Sequence, residues 1–248
     1  MIEYEPLRPY AERYAEIAAV PLRVVLTLRP GSRLAGYDPL NLDNLLARAV
    51  VDEATEGRGL PSTPQAYRLP APLVCLWREP ESGLPLWAAT PFTPMGESAP
   101  DISYWHKRAQ PGRLTGTRSG QFAISSTAGR WMERRVPLPT VVATEWVADA
   151  EGDPQEVARL LSTLAWVGKR RSNGFGEVLA WSVEPLSGFR LVRDGRLTRP
   201  LPAGAGALLG TQKPEGEPAP IGWTPPQWKP DLFRLGWWTG TPVAEAET

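Results

Sequence analysis

The chain has 248 residues and balances 27 Lys and Arg against 27 Asp and Glu, with 42% hydrophobic residues. That is enough for one large domain or two small ones, and no apolar run approaches the ~20 residues of a membrane span. A single cysteine (Cys75) and a single histidine (His106) exclude an intramolecular disulfide framework and the usual zinc ligand sets, so no cofactor or metal is expected. The N-terminus (Met1-Ile2-Glu3-Tyr4-Glu5) is acidic and lacks the basic and apolar regions of a signal peptide, which points to a cytoplasmic protein with no membrane partner.

In chain order, Val20–Leu28 is β-branched and partly alternating, a first strand. Leu42, Leu45, Leu46, Ala49 and Val50 follow at helical spacing, with Asn41 as N-cap and Gly57 and Gly59 as the stop. Two short runs, Pro72–Trp77 and Leu84–Phe92, flank the turn-forming Glu79-Pro80-Glu81-Ser82-Gly83 and predict a hairpin. Residues 93–135 show no sustained period, and so long an irregular stretch points to a functional insertion. Pro139–Val147 has strand composition. Asp153-Pro154-Gln155-Glu156 carries a capping-box signature, and Val157, Leu160, Leu161 and Leu164 form the apolar stripe of a second helix. Asp38, Asp43, Asp52 and Glu53 flank or occupy the first helix and read as capping and solvated-face residues. Glu177–Val183 predicts another strand, and Gly188–Arg199 a hairpin around Asp194-Gly195. The last fifty residues are rich in Pro and Gly but hold Trp223, Trp228, Phe233, Trp237 and Trp238, so they are expected to be irregular yet docked.

The resulting order, β–α–β–β–α–β, is the ferredoxin-like, RRM-like plan of an α+β fold. Residues 1–185 form that domain, with 93–135 as a thumb-like insertion. Residues 186–248 are a hairpin and a Pro/Trp-rich C-terminal extension, packed on the domain or on a partner.

Between the second helix and the last strand lies Gly168-Lys169-Arg170-Arg171-Ser172-Asn173-Gly174-Phe175-Gly176. Glycines permit positive φ and close backbone approach. Successive N–H groups in such a loop can cradle an anion, and the cations add phosphate affinity. It is not a P-loop, because the lysine comes first and the loop follows a helix. A dinucleotide fingerprint would need the opposite element order. The plainer alternative is a C-cap glycine followed by a solvated basic turn. Charge favours the functional reading. Residues 101–135 hold seven cations (Lys107, Arg108, Arg113, Arg118, Arg130, Arg134, Arg135) against Asp101 and Glu133, a balance of +5. Residues 168–177 add +2, three cations against Glu177, so the rest of this neutral chain carries −7. Such clustering points to an anionic partner at one face.

The string Gly168–Val178 in this position resembles the glycine-rich loop of the RAMP superfamily of CRISPR proteins. Leu42-Asp43-Asn44-Leu45-Leu46-Ala47 resembles the start of the first helix in several of its subunits. The resemblance spans roughly Val20 to Val183. Within the superfamily, the size and the insertion with Tyr104-Trp105-His106-Lys107-Arg108 are most similar to the subunit that caps the crRNA 5′ handle, in its type IV form. The resemblance implies a non-catalytic subunit in antiviral or anti-plasmid defence. Its partners would be crRNA, a backbone RAMP subunit and a large subunit, with target DNA near the insertion.

The implied RNA-binding set is Gly168, Lys169, Arg170, Arg171, Ser172, Asn173, Gly174 and Gly176 of the loop. From the insertion come Tyr104, Trp105, His106, Lys107, Arg108, Arg113, Arg118, Arg130, Arg134 and Arg135. Single-stranded RNA is held by cations along its backbone and by flat side chains under its bases, and Tyr104–Arg108 and Arg130–Arg135 interleave both. The competing view is that Trp105 and Trp131 anchor the insertion to the core. Two other functions stay open. His106, Tyr104 and Lys107 are the residue types of a metal-independent crRNA-processing endoribonuclease, although positions i, i+2 and i+3 converge only around a tight turn. A protein–protein scaffold without an RNA role is the third.

Overall fold

A computed structural model describes residues 3–36, 38–63, 65–107 and 134–245. Its first half contains α1 (Arg8–Arg13), β1 (Val20–Leu28), β2 (Leu34–Ala35), α2 (Leu42–Ala54), β3 (Cys75–Arg78), β4 (Pro85–Trp87), β5 (Thr93–Met95) and β6 (Ala99–Lys107). Then come β7 (Arg134–Val142), β8 (Glu145–Gly152), α3 (Pro154–Ser162) and β9 (Val178–Pro185). The last stretch holds β10 (Val192–Arg193), β11 (Arg196–Leu197), β12 (Leu201–Pro202), β13 (Gln212–Pro214), β14 (Ala219–Ile221), β15 (Arg234–Trp237) and β16 (Val243–Glu245). The fold is α+β, with antiparallel strands and few helices.

At the centre is a four-stranded sheet in the order β5-β8-β1-β9, every pair antiparallel. Alternation in β1 aims Leu22, Val24, Leu26 and Leu28 at one face, where all four are buried. On that face α2 contributes Leu42, Leu46, Ala49 and Val50, and α3 contributes Val157, Leu160 and Leu161. Each such leucine, fully buried, stabilises the fold by about 1.5–3 kcal/mol relative to exposure.

The N-terminus of α3 is built largely as its sequence suggests. Asp153 accepts hydrogen bonds from the N–H groups of Gln155 (2.9 Å) and Glu156 (3.1 Å), with Pro154 in the first turn. The reciprocal half of the capping box is absent. Glu156 turns instead to Arg159 and to Tyr14 near the end of α1, a helix the sequence reading did not anticipate. Asn41 occupies the N-cap position of α2 without a side-chain cap; its Nδ2 donates to the Pro39 carbonyl at 3.3 Å.

The structure corrects three assignments in the middle of the chain. The hairpin around Glu79–Gly83 forms as β3 and β4, but it is a separate two-stranded sheet. Single bridges, Leu73 to Gly152 and Ala89 to Ala150, tie its flanks to β8. The inner partner of β1 is β8, whose Trp146, Ala148 and Ala150 alternate onto the helix-covered face, and β5 adds the edge. The predicted strand Pro139–Val147 is two strands meeting at Ala143–Thr144, the end of β7 and the start of β8. Finally, the insertion is not irregular throughout: β6 and β7 pair in continuous register from Ala99–Val142 to Lys107–Arg134, and β2 adds a third strand. Residues 108–133 lie outside the described residues.

A second buried cluster joins the β3–β4 hairpin to the C-terminal segments. Leu84 and Leu86 meet Leu197, Leu201, Ile221, Trp223 and Leu232. The Trp77 and Trp223 rings pack with centroids 5.5 Å apart. The turn at Asp194-Gly195 has φ of 51° and 68°, the pair of positive values that a two-residue hairpin between β10 and β11 uses. Arg199 bridges the two clusters. It is 2% exposed and donates to the carbonyls of Trp87, Ala89 (3.1 Å) and Trp223 (2.7 Å), and to the Asp43 carboxylate in the first turn of α2 at 3.5 Å. Asp43 is therefore a buried pairing residue rather than a solvated one. Among the described residues, no helix is long and apolar enough to cross a membrane.

Candidate nucleic-acid interface

The Gly/Arg loop leaves α3 and returns to β9 beside β2. Its base is clamped: the N–H of Val167 donates to the Gly176 carbonyl (2.8 Å), that of Gly176 to the Arg33 carbonyl (3.0 Å), and that of Glu177 to Ser32 Oγ (2.9 Å). Gly176 is required by space, since a Cβ there would lie 1.9 Å from the Val167 carbonyl oxygen. Gly174 is required only by conformation, with φ of 86° and nothing within 4 Å of a would-be Cβ. Just before Gly174, Arg171–Asn173 form one 3-10 turn, entered through Arg170 at φ 59°. A left-handed arginine costs about 1–2 kcal/mol, and such outliers cluster where a ligand is gripped.

That backbone presents Lys169, Arg170, Arg171, Ser172, Asn173 and Gly174 to solvent. Lys169 is ion-paired with Asp38, just beyond β2. The Arg170 guanidinium lies over the Trp105 ring, 5.8 Å from its centroid. Loop and ribbon, more than sixty residues apart in sequence, are thus one surface.

Strand alternation explains how the ribbon divides its side chains. Asp101, Ser103 and Trp105 share the face toward β2 and the loop. Arg33 ion-pairs with Asp101 and reaches Ser103 Oγ at 3.4 Å, and Trp105 meets Arg170. Ile102, Tyr104 and His106 share the opposite face and are exposed, Ile102 at 55% and Tyr104 at 48%. On that face the Arg135 guanidinium stacks 3.9 Å from the Tyr104 ring centroid, diagonal to its register partner His106. Both aromatic rings of the ribbon therefore carry a guanidinium at cation–π distance.

Among the described residues, Arg134, Arg135, Arg170 and Arg171 make no salt bridge to a carboxylate. Lys169 does, and Arg33, which the sequence reading missed, is tied to Asp101. Nothing local could have flagged Arg33, because its partner is sixty-eight residues away. Arg108, Arg113, Arg118 and Arg130 lie outside the described residues, as does Trp131. Tyr104, His106 and Lys107 run along one extended strand rather than around a turn. Among the described residues, no cluster of three His, Cys, Asp or Glu side chains could hold a metal ion.

No family model matches this chain, and no curated protein matches it. Chemically, the site offers guanidinium groups that make no salt bridge among the described residues, beside aromatic planes on an exposed ribbon and loop. That combination suits a flexible polyanion with flat bases better than a small molecule sealed from water.

Proposed function

We propose that the chain is a non-catalytic RNA-binding subunit of the RAMP type. It would cap the crRNA 5′ handle in a CRISPR effector complex, with the Gly/Arg loop and the β6–β7 ribbon as the gripping surfaces. The observation that carries this reading is the meeting of loop and ribbon, Arg170 over Trp105, on two elements that also carry Arg134, Arg135 and Arg171, none of which makes a salt bridge among the described residues. Supporting the ferredoxin-like plan is the strand order. Numbering only the strands of the central sheet along the chain, β9, β1, β8 and β5 stand fourth, first, third and second. α2 follows the first and α3 precedes the fourth, as the split βαβ plan requires. The Gly/Arg loop then joins the last helix to the last strand, and the ribbon is the insertion between the second and third strands.

RNA would lie with phosphates on Arg170, Arg171 and Arg135 and with bases near Tyr104 and Trp105. Lys169 can join once a phosphate replaces Asp38 as its counter-charge. His106 is an exposed neighbour that can donate to RNA.

The test is a metal-free gel assay with 5′-labelled CRISPR repeat RNA, using wild type, His106→Ala and a Lys169/Arg170/Arg171→Ala triple variant, beside co-purification from cells making crRNA. A shift without cleavage, lost in the triple variant, is the expected result. Cleavage abolished by His106→Ala would make the chain a processing nuclease. Neither a shift nor co-purifying RNA would leave a protein–protein scaffold.

A further inference from the structure

On the other side of the Gly/Arg loop from the ribbon lies a groove that the capping reading leaves unused. One hollow of about 460 Å³ sits between α2 and the segment 164–171, with Leu45, Leu60 and Leu164 in its floor and Trp166 in its wall. A second hollow, of about 330 Å³, adjoins it under the C-terminal extension and is lined by Phe233 and Trp238. Pro39, Asn41, Asn44, Lys169 and Trp228 line both, so the two form one groove. Trp228 is the most exposed large apolar side chain of the described residues, at 75%; Trp238 is 48% exposed and Trp166 37%. An indole so exposed stabilises the monomer little.

Charge decides what belongs there. Lys169 and Arg171 line the wall of the first hollow. Among the described residues, the only carboxylate lining either hollow is Asp38, already tied to Lys169. Arg171 makes no salt bridge among the described residues. The same three consecutive cations thus serve two sides: Arg170 faces Trp105 on the ribbon, while Lys169 and Arg171 line the groove.

We propose that this groove holds further nucleotides of the same single-stranded RNA. The phosphates would cross the loop at Lys169 and Arg171, and bases would stack on Trp228 and Trp166. The inference rests on the RNA-binding reading above and extends it: the C-terminal extension becomes part of the RNA path. Stacking on an aromatic plane is tolerant of base identity, so the groove reads the presence of an unpaired strand rather than its sequence.

Fluorescence anisotropy with labelled oligouridine over a salt series separates the two claims. Trp228→Ala is expected to weaken binding about fivefold or more at every salt concentration, the loss of one base stack. Trp228→Phe should restore most of it. The slope of log K against log[salt] should stay as in wild type, because no cation is lost. The side chain is largely in solvent, so a thermal melt should show both variants folded as wild type. Wild-type affinity in Trp228→Ala would overturn the groove and leave the ribbon and loop reading intact. No binding by wild type, alone or as purified from cells making crRNA, would overturn both. A Trp228→Ala loss accompanied by a flattened salt slope would also reject stacking, since it would mean a displaced cation.

Discussion

Two glycines of one loop are fixed by different physics, which makes them separable. Gly176 has no room for a methyl group against the Val167 carbonyl, whereas Gly174 has room and only an unfavourable φ. Gly176→Ala must therefore move backbone at the junction of α3 and β9, and should lower stability by about 2–4 kcal/mol in urea unfolding, an overpacking cost of about 1–3 kcal/mol plus about 1 kcal/mol for a side chain at φ 71°. Gly174→Ala should cost about 1 kcal/mol, the left-handed penalty alone, and leave the fold intact. Gly174→Val, β-branched at positive φ, should relax the loop and weaken RNA binding in a protein that still folds. If Gly174→Val binds RNA as wild type does, the loop conformation is not part of the grip. The cations differ as well. Lys169 is engaged by Asp38 while Arg170 and Arg171 make no salt bridge to a carboxylate among the described residues, so the triple alanine variant should reduce the salt slope for single-stranded RNA by about 1.4, roughly 0.7 for each of the two arginines. An unchanged slope would take the loop out of the interface.

At the scale of elements, the first turn of α3 carries a pH-sensitive lock. Glu156 accepts from Arg159 and from the Tyr14 hydroxyl (2.6 Å), and those partners, Arg159 first, hold its carboxyl down at about 2 instead of 4.5. Burial, then the hydrogen bond to Glu156, pushes the Tyr14 phenol up, so it remains a donor throughout. A depressed carboxyl contributes stability that is complete above 4.5 and lost as pH falls toward 2. The shift is about 3 kcal/mol at face value, and the part-exposed Arg159 reduces it to about 1–2 kcal/mol. Glu156→Gln should thus lie below wild type by that margin at pH 6, with the gap closing by pH 2; a constant gap would assign the effect to packing. Elements with local causes were legible in the sequence: the stripes of α2 and α3, the Asp153 cap, and the Asp194-Gly195 turn. The ribbon was not, because Pro100, Pro137 and Pro139 interrupt its alternation and proline argues against a central strand. For the candidate site, the loop and the Tyr104–Lys107 run were legible as separate basic segments. That Arg170 meets Trp105 depends on β2 bridging loop and ribbon, a contact no local pattern encodes.

Across the whole molecule, the two buried clusters are joined by a charge pair rather than by a continuous apolar core. Arg199 and Asp43 are 2% exposed each, and Gln227 donates to the same carboxylate at 2.8 Å. Burial pushes Asp43 up and Arg199 down, and each charge opposes the other's shift. The pair survives because the Arg199 donors find acceptors: four carbonyls, those of Trp87 in β4, Ala89, Trp223 and Pro200 (3.4 Å), besides the carboxylate. Attraction alone would not repay taking two ions out of water. Removing one partner should be costly. Arg199→Met is expected to lower stability by about 3–5 kcal/mol, because it strands a buried carboxylate and leaves the carbonyls unpaired. Asp43→Asn added to Arg199→Met should then cost little or recover part of the loss, since the stranded charge is gone; the coupling in such a cycle is about 0.5–3 kcal/mol. Additive losses in urea unfolding would mean the two residues act independently and the clusters are held together by packing alone. The groove makes the same linkage a functional one. Asn44 beside Asp43 and Trp228 beside Gln227 line it, so loosening Arg199 should also weaken oligouridine binding, without changing its salt slope. A variant destabilised by several kcal/mol yet folded at 10 °C, and binding RNA there as wild type does, would separate the extension's anchoring from the RNA path.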